Sequence, residues 1–141
     1  MTAVSDSVVF RSLFSTPQSA EIWSDQQRTR YYLQFEAALA TIQAQLGIIP
    51  KEAGEAIILK CKIELIDIEE LGEETRKIGY PVLPLVKQIV RLVNKEKEGL
   101  GEWTHWGATT QVNLYSTFLL SRDQFDFFHF PFHDSISVMI L

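Results

Sequence analysis

Cysteine is almost missing from this sequence. Cys61 has no second cysteine to pair with, so an internal disulfide is excluded, and the usage fits a reducing compartment. It lies in the apolar stretch Ile57-Ile58-Leu59-Lys60-Cys61, where a small buried hydrophobe is the ordinary reading and a nucleophile the rarer one. Positive charge is short as well: 13 Lys and Arg stand against 18 Asp and Glu, for a net charge of −5. The cations are interleaved with acids rather than gathered on a stripe, which argues against nucleic acid as a partner. A small anion is not excluded, because local donors at a site outweigh the global balance. No stretch approaches the eighteen or so apolar residues of a membrane span. Met1 to Val9 lacks the basic start and apolar run of a signal peptide. The expectation is a cytoplasmic protein with no membrane and no nucleic-acid partner.

What is present is ordinary globular material. The chain has 141 residues, 46% hydrophobic and 22% charged, enough for one domain. Pro17 to Trp23 predicts a short helix opening at the proline, and Ser24 with Gln27 has the spacing of a capping box. From Asp25 to Leu46 the residues Tyr32, Phe35, Leu39, Ile42 and Leu46 recur at intervals of three and four, which predicts a helix of about six turns with one apolar stripe. Gly47 suits the residue that ends it, and Pro50 the start of the next. Further helices are expected over Lys51 to Lys62, Ile66 to Lys77 and Pro84 to Asn94, the last with Leu85, Val86, Ile89, Leu92 and Val93 on one face. Lys95 to Gly101 reads as a polar loop. No strand is expected before Gln111, so the first 111 residues are read as all-α.

Chemistry is most concentrated in His105-Trp106-Gly107-Ala108-Thr109-Thr110-Gln111. A helix beginning near Thr109 would present unpaired amides beside two hydroxyls and a side-chain amide, a combination suited to a carboxylate or phosphate. His105, just upstream, would donate to the same anion or move a proton near neutral pH. The plainer readings are that the threonines cap the helix and that His105 is a hydrogen-bonded structural residue.

This segment resembles the first signature region of the fumarase/aspartase superfamily. The order of the preceding pieces agrees: Phe14-Ser15-Thr16-Pro17, Ile22-Trp23-Ser24-Asp25, Phe35-Glu36-Ala37-Ala38-Leu39-Ala40, Leu46-Gly47-Ile48-Ile49-Pro50 and Gly79-Tyr80-Pro81-Val82-Leu83-Pro84-Leu85-Val86. Within the superfamily they look most like the 3-carboxy-cis,cis-muconate cycloisomerase branch, with adenylosuccinate lyase next. The resemblance covers about residues 10 to 111. It implies the N-terminal helical domain of the fumarase/aspartase fold, truncated before the central helix bundle of a family that forms homotetramers. It also implies lyase or cycloisomerase chemistry on a small carboxylate substrate, with no metal or organic cofactor. Carried onto this chain, His105 takes the catalytic or orienting role, while Thr109, Thr110 and Gln111 hold substrate carboxylates. The catalytic serine loop of the family has no counterpart in this sequence, so the chain is expected to be inactive alone.

The resemblance stops after Gln111, where the family pattern has an Asp and then a long amphipathic helix. Val112-Asn113 stands here instead and can be encoded as GTAAAT, a donor-like splice sequence. Residues 112–141 are therefore read as a divergent tail, translated intron or frameshifted, and irregular. Five of the nine phenylalanines fall between Gln124 and His133, around a proline. The alternative is a genuine short protein, a non-catalytic helical module that binds a full-length paralogue.

Overall fold

Ser24 caps the longest helix among the described residues. In the computed structural model, which describes residues 7–10, 13 and 15–126, its hydroxyl accepts from the Gln27 amide at 3.2 Å. The reciprocal half of the expected capping box is replaced, because Gln27 Oε1 accepts instead from Arg30 at 3.3 Å. The reciprocal arrangement is built one helix earlier, between Thr16 and Ser19, at the start of α1 (Pro17–Ile22). Helix α2 then runs Asp25–Gln45 and is followed by α3 (Lys51–Lys60), α4 (Ile68–Ile78), α5 (Val82–Asn94) and α6 (Thr110–Asp126). Two short 3₁₀ turns, Ile63–Leu65 and Gly101–Trp103, complete the order, and no strand occurs among the described residues.

The expected breaks fall where the backbone needs them. Gly47 takes φ +70° just beyond the end of α2, a conformation that costs glycine little and other residues more. Asp67 caps α4 by accepting from the Glu70 amide, with Glu69 and Glu70 in its first turn and Arg76 and Lys77 in its last. Helix α5 starts at Val82 rather than Pro84, so Pro84 sits in its first turn, where its missing N–H costs nothing.

Helix α2 is the central element, packed against α3 on one side and α6 on another. The core joins Tyr32, Leu33 and Ala40 of α2 to Ile49 and Ile57, to Ile66 and Leu71, and to Val82, Leu85, Ile89 and Val93 of α5. The predicted α5 face is thus the buried one. The predicted α2 stripe is not: Tyr32 is buried, but Ile42 is exposed and Leu46 is 69% exposed. The face turned inward is Thr29, Leu33, Glu36 and Ala40, displaced by about one residue around the helix. That displacement brings a carboxylate, Glu36, into the interior at 1% exposure.

The largest correction concerns the expected irregular tail. The chain stays helical from Thr110 to Asp126, so the helical part does not stop at Gln111. A helical period is present there, carried by the wrong class of residue for an apolar search. Asn113, Thr117 and Ser121, four apart, are buried, while Val112, Tyr115 and Phe118 are exposed. The phenylalanine-rich stretch beyond Asp126 lies outside the described residues.

Candidate functional site

Helix α2 and the turn before α6 meet at His105. Its backbone takes φ +59°, a left-handed conformation that costs a residue with a side chain roughly 1–2 kcal/mol. Two contacts from α2 hold it. His105 Nδ1 lies 2.6 Å from Glu36 Oε1, and Gln43 Nε2 donates to the Trp106 carbonyl at 2.8 Å. Glu36 and Gln43 are seven residues apart, two turns on one face of α2, so consecutive loop residues are pinned by one helix. Gly107 then takes φ +66° and lets the chain turn into α6.

Glu36 Oε1 has a second partner, since Asn113 Nδ2 donates to it at 2.7 Å. Three residues from two distant parts of the chain therefore share one buried oxygen. On the same residues and their chain neighbours are buried polar atoms with no hydrogen-bond partner: Glu36 Oε2, His105 Nε2, Thr104 Oγ1 and Gln43 Oε1. The His105 side chain is 12% exposed, but its Nε2 is buried and has no hydrogen-bond partner. Phe35 stands beside the imidazole with ring centroids 6.4 Å apart, and Trp103 and Trp106 pack together on the same turn at 4.7 Å.

The other expected site residues follow at the start of α6. Thr109 is exposed, and its hydroxyl accepts weakly from the Val112 amide at 3.4 Å, a capping contact. Thr110 opens the helix and is half-buried, and Gln111 is exposed. The structure thus brings His105, Thr109, Thr110 and Gln111 into one turn and helix start, with His105 inward and Gln111 outward. Two residues were missed: Glu36 and Asn113. A carboxylate at an inward helical position would have pointed to Glu36. Asn113 had no signal in the sequence, because it stands where the motif departs from its pattern.

Cys61 is partly buried against the core, and its thiol is pushed up to about 12 by burial and then by the negative charge of Glu36. That is the opposite of an activated nucleophile. Among the described residues, no group of three or more His, Cys, Asp or Glu could hold a metal ion, and no helix is long and apolar enough to cross a membrane.

No family model matches the chain. It is 53% identical over 109 residues to an uncharacterised protein of Schizosaccharomyces pombe, covering 77% of this chain and 24% of that protein. It is 54% identical over 99 residues to trans-aconitate decarboxylase 1 of Mycosarcoma maydis, covering 70% of this chain and 20% of the relative. The crystal structure of the 3-carboxy-cis,cis-muconate lactonizing enzyme of Pseudomonas putida matches with a TM-score of 0.77 at 32% identity, over 86% of this chain and 28% of that one. The chain spans about a quarter of the length of the curated relatives it matches.

Proposed function

Because the homologues and structural neighbours of this chain are fumarate lyase superfamily members, 3-carboxy-cis,cis-muconate cycloisomerase, adenylosuccinate lyase and fumarate lyase among them, matched over an N-terminal part, we propose that it supplies one segment of a carboxylate-acting site. In this reading His105 Nε2 meets the substrate and orients it or exchanges a proton with it. Thr110, Thr109 and Gln111 hold carboxylate oxygens with hydroxyls, side-chain amide and the first free amides of α6. The observation that carries it is the buried, unpartnered Nε2 of His105 at the entrance to a helix N-terminus.

The substrate proposed is a small carboxylate, and the names of two relatives support one type of it. Trans-aconitate and 3-carboxy-cis,cis-muconate are both unsaturated tricarboxylates, so the ligand proposed here is an anion of that type. A decarboxylase among the relatives widens the reaction class beyond elimination and cycloisomerisation. The 141 residues are proposed to bind but not to turn over substrate, because the site holds one side chain with an unpartnered proton-exchanging nitrogen and the chemistry needs a base and an acid.

The test is an amide and imidazole NMR titration of the full chain with trans-aconitate. Shifts centred on His105, Thr109, Thr110 and Gln111, lost in His105→Ala, support the reading. Saturating ligand without such shifts would sink it. Turnover of trans-aconitate, fumarate or carboxymuconate by the purified chain would refute the inactivity.

A second reading rests on the exposed apolar face of α6, formed by Val112, Tyr115 and Phe118, with Trp23 6.1 Å from Phe118. Such a face suits a non-catalytic module that pairs with a longer paralogue. Co-purification with that paralogue, abolished by Phe118→Asp while ligand shifts persist, separates the two. The proposal that residues 112–141 arise from intron read-through or a frameshift is tested on the mature transcript across codons 105 to 120. A message joining Gln111 to a different reading frame supports it.

A further inference from the structure

Asn113 sits just past the segment proposed to bind substrate, and its amide is held at both ends. Its Nδ2 donates to Glu36 Oε1 at 2.7 Å. On the other side, the Thr117 hydroxyl donates to its Oδ1 at 3.5 Å, and Ser121 Oγ donates to the Thr117 carbonyl at 3.0 Å. A hydroxyl donor on the oxygen side turns the nitrogen side toward the carboxylate. Glu36 Oε1 therefore receives one N–H from Asn113. Its remaining close neighbour is His105 Nδ1 at 2.6 Å.

A carboxylate oxygen only accepts, so that short contact calls for a hydrogen on Nδ1. In a neutral imidazole the lone pair then falls on Nε2, the atom left buried without a partner. Resting on the reading of His105 given above, we propose that Glu36 and Asn113 are positioning residues. Together they hold His105 as the Nδ1–H tautomer, so that Nε2 faces the ligand as a proton acceptor. Asn113 acts through Glu36, the group its Nδ2 donates to. Its position on α6 ties the tautomer to the same helix whose first turn would grip the substrate.

The tautomer is read directly from the imidazole ¹⁵N shifts of the full 141-residue chain, without ligand. His129→Gln and His133→Gln leave a single histidine signal. The expected result above the titration is a protonated Nδ1 and a bare Nε2, the reverse of the form that free histidine prefers in water. Asn113→Ala is expected to lower the ratio of Nδ1–H to Nε2–H by about threefold to tenfold, the range that one hydrogen bond of ordinary net strength supports. Glu36→Ala is expected to invert it, since no acceptor is left for an Nδ1–H and the ring returns to the form that free histidine prefers. A wild-type ring protonated on Nε2 overturns the proposal outright, whether or not either variant folds. A ratio unchanged in folded Asn113→Ala removes Asn113 from it, and one unchanged in folded Glu36→Ala removes Glu36. Because no ligand is present, a failed trans-aconitate titration leaves this result standing, and a wrong tautomer leaves the binding reading standing.

Discussion

Glu36 and His105 are 69 residues apart in the chain and 2.6 Å apart in the fold. Helix α2 and the turn before α6 are joined by this contact inside the protein, where an unpaired polar atom is costly. Removing the carboxylate leaves both His105 Nδ1 and Asn113 Nδ2 without their acceptor. Glu36→Ala is expected to lower stability by about 1–3 kcal/mol for each buried group left unsatisfied. Urea denaturation of the two proteins measures it; an unchanged midpoint would show that the pair contributes nothing to the fold.

Gly54 lets α2 and α3 approach each other. A Cβ built there would stand 2.6 Å from Ala44 Cβ and 3.2 Å from the Ala40 carbonyl. Gly54→Ala is therefore expected to destabilise by about 1–3 kcal/mol, even though alanine is the better helix former. At Gly72, where a Cβ meets nothing within 4 Å, the same change is expected to be stabilising or neutral. Comparing the two melting temperatures checks the argument, and equal shifts would overturn it.

The Cys61 thiol, raised from 9.0 to about 12 by burial and by Glu36, gives a pH dependence. The fold favours the protonated thiol more than the unfolded chain does. That contribution is complete below about pH 9 and is lost as pH rises toward about 12. Urea midpoints are expected to fall between about pH 8 and about pH 10.5, and to fall less in Cys61→Val. Native Cys61 is also expected to resist a thiol reagent until urea opens the protein. Rapid native labelling would contradict the burial argument.

Much of the fold was legible because the apolar residues of α5 do what periodicity says: Leu85, Ile89 and Val93 are all fully buried. The break at Gly47 was legible for a different reason, since few other residues take a positive φ at low cost. Two elements were misread by the same rule. On α2 the apolar stripe gave the wrong face, because tertiary packing turned Glu36 and Thr29 inward and left Leu46 out. On α6 the search for apolar repeats missed a seam made of Asn113, Thr117 and Ser121. In the site, His105 and the threonines were found by motif. Their partners were not, because a hydrogen bond across dozens of residues leaves no local spacing to read.

Gln88 closes the start of α4 from a neighbouring helix. Its Oε1 accepts from the Asp67 amide and its Nε2 donates to the Asp67 carbonyl, each at 3.0 Å, with the side chain buried. Gln88→Leu keeps the volume and strands two backbone groups, at an expected cost of about 2–4 kcal/mol. Hydrogen exchange at Asp67 should accelerate in this variant by more than at Val93. Uniform acceleration along α5 would point to a global effect instead.

The inward seam of α6 decides where the chain can be divided. A version ending before Asn113 keeps every apolar core residue named above, yet it strips Glu36 of one donor and removes the helix packed against α2. The smallest self-sufficient piece therefore reaches past Ser121, and any boundary drawn at the end of the sequence motif would cut through the interior rather than around it.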